Sequence, residues 1–294
     1  MKRYVVLDKK VGETPLAAIQ TWRQGNPVYA DTTACYAGRL DPMASGKLLV
    51  LLGDECKRLR SYTNLDKEYE IEVLIDIASD SGDMLGIPDF SHSEIFIDRA
   101  AIARALSKER GAHEREYPAF SSKTVNGKPL FLYALEGRLS EIKIPTHVEH
   151  IYRVQTEGLH TISSEELKGR IMELLDRVPR TDELSKKLGE DFRVDAIQAY
   201  WKSLFQTVGK RNFHILRLRV VCASGTYMRS LAGRIGASLG TKALALSIKR
   251  TKIGNYFPIW GGVGWWVRTY YIVQEQAPGG TGDRSHSESD ISGN

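Results

Sequence analysis

Residues 34–53 read ACYAGRLDPMASGKLLVLLG, so a turn containing Gly and Pro leads directly into an apolar run. The run from Leu48 to Leu52, closed by Gly53, predicts a buried strand or the end of one. Asp41, which precedes a proline, therefore lies in the turn that leads into this buried strand. A carboxylate in that place is either a turn residue or a chemical reagent.

The length and composition are those of a globular protein with room for a real core. Its 294 residues suit one large or two ordinary domains, and 42% hydrophobic with 26% charged residues is typical of a soluble protein. No apolar run approaches the roughly 18 residues of a membrane span, and Asp8 cuts the N-terminal apolar stretch too early for a signal peptide. The three cysteines (Cys35, Cys56 and Cys222) are far apart, match no zinc spacing and predict reduced thiols in the cytoplasm.

Basic residues exceed acidic ones, and the excess lies before residue 261. The chain carries a formal charge of +5, of which residues 261–294 contribute two arginines and four acidic residues, or −2, leaving +7 on residues 1–260. Such an excess attracts polyanions and is typical of nucleic-acid-binding proteins. Many metabolic enzymes of similar charge bind no nucleic acid, so charge alone leaves both classes open.

Hydrophobic periodicity predicts alternating strands and helices over the first half of the chain. We expect strands at 3–8 and 69–76, and helices at 14–24, at 98–107 and from a cap at Asp54 to about residue 62. The second strand has one apolar face opposite mostly acidic positions, formed by Tyr69, Ile71, Val73 and Ile75.

The second half of the chain begins with a segment in which helical hydrophobic spacing replaces the strand pattern. Residues 156–210 are predicted to be a helical insertion between two strands, because Ser163 and Glu166 have capping-box spacing and two amphipathic runs follow. Packing of these helices on the core is the favoured interpretation, and a direct contact with RNA is the alternative. Residues 213–240 predict strand, turn and helix, and with Thr226 as N-cap the helix would begin just before Arg229.

Several well-known catalytic patterns are absent from the sequence. The Gly46-Lys47 pair fails as a phosphate-binding loop, because Asp41 stands where that motif needs Gly and Leu48 where it needs Ser or Thr. There is no glycosidase carboxylate pair, nucleophile elbow or dinucleotide fingerprint.

Asp41 alone remains as a candidate reagent. A neighbouring arginine that makes a bidentate contact would keep it ionised, and Arg39 and Arg229 are the two candidates. The alternatives are a plain turn residue for Asp41 and a surface ion pair for Arg229. If Arg229 is the third residue of its helix, it lies near the positive end of the helix dipole.

Five blocks of sequence, in order, resemble the TruB family of tRNA pseudouridine synthases. Residues 37–57, AGRLDPMASGKLLVLLGDECK, are similar to the family's signature around its essential Asp. The others are LDKKVGETPLAAI (7–19), KEYEIEVLIDIASDSGDMLG (67–86), YPAFSSKTVNGKPLFLYALEG (117–137) and CASGTYMRSLAGRIG (222–236). Each block alone could arise by chance, whereas five in the family's order are specific.

The resemblance implies the fold and the activity. The expected fold is α/β (α+β): one pseudouridine synthase domain over residues 1–260, with a mixed, mainly antiparallel sheet flanked by helices. The implied reaction is isomerisation of uridine 55 in the T-loop of tRNA to pseudouridine, with no metal or organic cofactor. tRNA, held by its T-arm, is the expected partner, and we expect a cytoplasmic monomer with no membrane association.

The resemblance also implies roles for individual residues. Asp41 would attack the ribose or act as a base toward it, Arg229 would pair with Asp41, and Tyr69 would stack on the flipped uracil and help to remove its C5 proton. The 115–139 segment would grip the T-arm. The expected RNA-binding residues are Tyr36, Arg39, Lys67, Lys123 and Lys128, although two lysines in a loop are more often solvated surface.

The chain departs from the family pattern in three places. Tyr36 stands where bacterial members usually have His, and Arg39 echoes sister families, which keeps a pseudouridine synthase acting on another RNA open as an alternative. Residues 261–294 are expected to be a largely disordered extension, too short for the full RNA-binding domain that many relatives append. The other alternative is a non-catalytic RNA-binding or folding protein, against which the intact Asp41, Tyr69 and Arg229 argue.

Overall fold

The apolar run after Asp41 forms the inner part of a central strand. A computed structural model of the protein describes residues 2–90, 97–178, 193–259 and 263–271. In it the run belongs to the strand Ala44–Leu52, whose last five residues are all buried. The strand is flanked on both sides, because its backbone pairs with three other strands. The predicted buried strand is confirmed.

One large sheet dominates the described residues. Its strand order is β1-β3-β12-β4-β11-β10-β7, with β2 added to β3 and β13 to β12. Only the β3–β12 pair in this described sheet is parallel, so the predicted mixed, mainly antiparallel sheet is confirmed. The strands are β1 (Tyr4–Lys9), β2 (Ala34–Ala37), β3 (Ala44–Leu52), β4 (Asp66–Ile75), β5 (Ile77–Ser79), β6 (Pro88–Phe90), β7 (Gly111–Glu116), β8 (Thr124–Val125), β9 (Lys128–Pro129), β10 (Thr146–Ser163), β11 (Asn212–Cys222), β12 (Ala243–Pro258) and β13 (Gly264–Val267).

Helices flank the sheet, as predicted for an α/β fold. Two of the helix starts have side-chain caps that the sequence indicates: Thr14 accepts from the Ala17 amide and Ser163 from the Glu166 amide, both at 3.1 Å. The helices are α1 (Pro15–Gln24), α2 (Leu59–Thr63), α3 (Arg99–Glu109), α4 (Leu130–Leu135), α5 (Ser164–Asp176), α6 (Val194–Val208) and α7 (Met228–Ser238). No described helix is both long and apolar enough to cross a membrane.

Two predicted helix caps are wrong. Asp54 does not begin a helix, because the chain leaves β3 through Gly53 at φ +58° and enters a tight 3-10 turn, so α2 starts only at Leu59. Thr226 is one residue too early, since Tyr227 is the N-cap of α7 and the Thr226 hydroxyl donates to the Ala223 carbonyl. Arg229 is consequently the second residue of α7 rather than the third.

The predicted 156–210 insertion combines strand and helix. Residues 156–163 continue β10 and pair with β11, so helical structure begins at Ser164. The apolar stripes of α5 and α6 are buried, with Trp201 fully enclosed and its indole N–H donating to the Met84 carbonyl at 3.1 Å. The first predicted stripe ends at Val178, within the described residues, whereas Phe192, which starts the second, lies in residues 179–192, outside them.

The predicted extension beyond residue 260 is described only at 263–271. There the chain turns back on itself, and β13 pairs with the end of β12. Residues 260–262 and 272–294 lie outside the described residues, and the expectation of disorder falls largely on them.

Gly46 allows β12 to approach β3 closely. Its φ is +97°, and a Cβ atom there would stand 2.3 Å from the Arg250 carbonyl oxygen on β12. The position therefore combines a backbone conformation that L-residues avoid with a contact that leaves no room for a side chain.

We predict that Gly46→Ala lowers the free energy of unfolding by about 3 kcal/mol, because backbone strain and the clash with β12 add together. Gly240→Ala is the matched control, since Gly240 has φ +79° with nothing within 4 Å of its would-be Cβ, and should cost only about 1 kcal/mol. Urea unfolding of both variants measures the difference. Equal losses would refute the importance of the β3–β12 contact.

Candidate active site

Asp41 lies in the turn between β2 and β3, and buried side chains fix the backbone of that turn. The Ala44 amide donates to the Asp41 carbonyl at 3.0 Å, and the Gly12 amide donates to the Pro42 carbonyl at 2.9 Å. Lys9 is fully buried, and its Nζ donates to the carbonyls of Ala44 at 2.6 Å and Pro42 at 3.3 Å. Burial lowers the pKa of Lys9 to about 8. The Asp41 side chain keeps 38% of its surface exposed, so it can meet a ligand.

Arg229 is the partner of Asp41, as predicted, but the contact is not bidentate. Its Nε donates to Asp41 Oδ2 at 2.8 Å, while the two terminal nitrogens donate to the carbonyls of Ser81 at 2.6 Å and Phe120 at 2.9 Å. The arginine fork is thus divided among three chain segments. Its side chain is only 6% exposed, so these contacts hold it in one orientation.

A second carboxylate, that of Asp83, lies beside the same guanidinium. Asp83 Oδ2 is 3.6 Å from Arg229 Nε, and its Oδ1 accepts from the Leu85 amide at 2.9 Å and from the Ser81 hydroxyl at 2.7 Å. Burial raises the pKa of Asp83 although Arg229 opposes the shift. Burial alone would lower the pKa of Arg229, but the carboxylates of Asp41 and Asp83 outweigh it and raise the pKa. Arg229 therefore stays charged.

Tyr69 and Arg250 lie together on the inner face of the sheet, where their residues pair across β4 and β12. Both are buried, and burial raises the pKa of Tyr69, so the phenol stays protonated. Arg250 Nε donates to the Lys47 carbonyl at 2.7 Å and its Nη2 to the Gly38 carbonyl at 3.1 Å. Arg250 thus grips the chain on both sides of Asp41.

Three of the predicted RNA-binding residues line the same cavity as Asp41. Arg39 donates to the hydroxyl of Tyr36 at 3.3 Å, and both side chains are partly accessible. Lys67 is buried, its Nζ donates to the Thr63 carbonyl at 3.0 Å, and burial lowers its pKa to about 8. Its position suits contact with a group inside the cavity rather than with a phosphate on the outer surface.

The other two predicted RNA-binding residues lie in the 115–139 segment. Lys123 is exposed, and its Nζ lies 5.0 Å from the ring centroid of Tyr117. Lys128 Nζ pairs with the carboxylate of Glu136 and lies 4.8 Å from the ring centroid of Tyr133. Lys123 is free to meet a phosphate, whereas Lys128 would first have to leave its acidic partner.

The cavity in front of Asp41 measures about 960 Å³ and opens to the surface. This volume is enough for a nucleotide, since ligand sites typically measure about 300–1,000 Å³. Its walls are of mixed character: apolar side chains such as Leu40, Phe120 and Ile248 alternate with the charged groups around Asp41. Among the described residues, no group of three or more His, Cys, Asp or Glu side chains is placed to hold a metal ion.

Sequence reasoning assigned no role to four residues that shape this site: Lys9, Asp83, Phe120 and Arg250. Lys9, Asp83 and Phe120 fall within blocks that resemble the TruB family, but no role was assigned to them there, and Arg250 lies outside those blocks. A usable signal existed for Arg250, which stands two residues after Ile248 on a strand and so shares its buried face. The Phe120 contribution is a backbone carbonyl, which no side-chain pattern could indicate.

Comparisons with known proteins point to the same family that the sequence blocks resemble. A family model described as TruB family pseudouridylate synthase (N terminal domain) matches residues 28–171, which include Asp41 and Tyr69. The chain is 29% identical over 252 residues to the tRNA pseudouridine synthase B of Azoarcus sp. (strain BH72), covering 86% of this chain and 65% of that protein. It is 27% identical over 254 residues to that of Bordetella avium (strain 197N), covering 86% and 81%.

Among solved structures, the chain is similar to one in a crystal structure of a Cbf5-Nop10-Gar1 complex, with 17% identity, a TM-score of 0.49 and coverage of 85% of this chain and 48% of that one. The chain spans less than two thirds of the length of the Azoarcus relative. The match to the family model covers the turn that carries Asp41, and the related proteins align over most of the chain. The family-model match and these relatives together support assignment of the chain to the TruB family of pseudouridylate synthases.

Proposed function

We propose that this protein converts a uridine of tRNA, at position 55 in the T-loop, to pseudouridine, with Asp41 as the reacting carboxylate. The observation that carries the proposal is the ion pair of Asp41 with the buried Arg229, at 2.8 Å, at the wall of a cavity that accepts a nucleotide. Related proteins of the same family bear the name tRNA pseudouridine synthase B. The proposed enzyme acts as a cytoplasmic monomer.

The reaction is an isomerisation, so it consumes no co-reactant. The N1–C1′ bond of the uridine breaks, a C5–C1′ bond forms, the C5 proton is lost and N1 gains a proton. Asp41 assists the first step by attacking C1′ or by removing a proton from the ribose. Either role needs an ionised carboxylate held in one direction, which the neighbouring Arg229 supplies.

In this scheme Tyr69 contacts the uracil of the target nucleotide rather than its ribose. Its ring lies in the cavity wall beside Arg250, where a uracil turned out of the RNA can stack on it. Because burial raises the pKa of Tyr69, its phenolate is scarce at neutral pH. Stacking is therefore the role that the environment favours, and proton removal from C5 by Tyr69 would require a further base.

The T-arm would approach over the 115–139 segment. A uridine in a folded loop must be turned out of its stack to reach Asp41, and this segment contributes Phe120 and Phe131 to the cavity lining. Lys123, exposed at its edge, is placed to contact a phosphate. Tyr36 and Arg39, which also line the cavity, would contact the nucleotide.

We predict that Asp41→Asn reduces pseudouridine formation in an unmodified tRNA transcript at least 10³-fold, because the amide keeps the shape but loses the charge that does the chemistry. Binding of tRNA should stay within a few-fold of wild type. Single-turnover conversion, with filter binding alongside, measures both quantities.

A transcript in which cytidine replaces uridine 55 is the substrate control, and an rRNA fragment tests the alternative target. Product at another position, or only in rRNA, would remove tRNA position 55 from the proposal. Wild-type protein that binds tRNA without forming pseudouridine would favour the non-catalytic alternative.

We predict that Arg229→Lys lowers the single-turnover rate by about 100-fold or more, because an ammonium cannot contact Asp41 and both carbonyls in the geometry of the planar fork. Asp83→Asn is the comparison variant and should have a smaller effect, since Asp83 is farther from Arg229 than Asp41 is. Thermal unfolding identifies any loss due to misfolding. A folded Arg229→Lys variant with the wild-type rate would contradict the proposed role of the ion pair.

A further inference from the structure

Arg193 links the helical insertion to the wall of the active-site cavity. It is the N-cap of α6 and lines the cavity that contains Asp41. Its Nη2 donates to the carboxylate of Asp80 at 3.0 Å, and its guanidinium carbon lies 5.1 Å from the ring centroid of Phe120. A single side chain thus touches two segments that are about 40 residues apart in the sequence.

These two segments are the ones that orient Arg229. Phe120 supplies the carbonyl that accepts from one terminal nitrogen of Arg229, and Ser81, which follows Asp80, supplies the carbonyl for the other. Asp80 is itself fixed from the other side, because its Oδ1 accepts from the Ile87 amide at 2.9 Å. Arg193 therefore closes an outer layer around the pair formed by Arg229 and Asp41.

The backbone of Arg193 indicates that this arrangement has a conformational cost. Its φ is +60°, in the left-handed region that residues other than Gly, Asn and Asp rarely occupy. Strain of this kind persists where the surrounding contacts over-determine it. Among the described contacts, the Arg193 carbonyl accepts from the Ile197 amide at 2.9 Å, and its side chain contacts Asp80 and Phe120.

We propose that Arg193 is a positioning residue for the reaction: it holds the Asp80–Ser81 and Phe120 segments so that their carbonyls aim Arg229 at Asp41. This inference rests on the proposed pseudouridine synthase activity and assigns the insertion a part in it. The competing role is a direct contact of Arg193 with an RNA phosphate, for which its partly exposed guanidinium also has the right charge.

Arg193→Asn tests the proposal without disturbing the backbone, because Asn tolerates the left-handed conformation. Lys202→Gln is the matched control: it removes one positive charge from an exposed position on the same helix. With wild type forming pseudouridine, Arg193→Asn should lower the saturated single-turnover rate about 10- to 100-fold, as misplacement of a reacting group does. Its dissociation constant for tRNA should change less than threefold, and Lys202→Gln should leave both quantities unchanged.

A double-mutant comparison and a measurement independent of activity complete the test. Asp80→Asn keeps the acceptor for the Ile87 amide but weakens the contact with Arg193, so the double variant with Arg193→Asn should be no slower than the slower single variant. Hydrogen exchange in the 120–131 peptide, whose Phe131 amide donates to the Ser121 carbonyl, should accelerate in Arg193→Asn and not in Lys202→Gln.

The outcomes separate the two hypotheses. Weakened tRNA binding with a normal saturated rate would replace the positioning role by a phosphate contact, and a normal rate with normal binding would overturn it altogether. If the wild type forms no pseudouridine, the proposed function fails, and the exchange measurement alone then decides whether Arg193 holds the Phe120 segment.

Discussion

The burial of one guanidinium determines how the site is built. An arginine cannot leave water unless each of its donors finds an acceptor and its charge is balanced. Arg229 meets this requirement with Asp41, with carbonyls from two separate loops and with the nearby carboxylate of Asp83. Satisfying one side chain thus brings together the turn before β3, the 79–83 turn and the segment at Phe120. The geometry around Asp41 follows from the need to satisfy the buried Arg229.

Two other buried cations, Lys9 and Arg250, are also satisfied by hydrogen bonds to backbone carbonyls. Lys9 and Arg250 donate to carbonyls on either side of Asp41, so the turn that carries the carboxylate is held by side chains from the first and the twelfth strands. Backbone carbonyls satisfy a cation without neutralising it, which leaves the interior of the site positively charged. Such a site is preorganised to attract an anionic ligand. These contacts thereby hold the turn that carries the partly exposed Asp41 carboxylate.

Local patterns predicted the elements well, and long-range contacts were the part that sequence could not supply. The alternation in β4 and the capping box of α5 depend on neighbours within a few residues, and both predictions were confirmed. The pairing of Asp41 with Arg229 was predicted, because each lies in a block that resembles a known family. The expectation of a bidentate contact was wrong, because the terminal nitrogens of Arg229 donate to backbone carbonyls instead. Side-chain patterns in the sequence do not encode such carbonyls. Arg193 was missed for the same reason: its partners come from distant segments.

The position of β12 in the sheet has a consequence for how the protein is made. This strand lies between β3 and β4, and its Arg250 bonds to Lys47, 203 positions earlier in the chain. During synthesis β3 and β4 therefore cannot be joined in one sheet until β12 has left the ribosome. Folding dominated by such non-local closure is slow and leaves strand edges open to aggregation. Strand β12 thus completes the described sheet and the wall of the Asp41 cavity in one event, so a nascent chain gains its cavity and its protection from misfolding together.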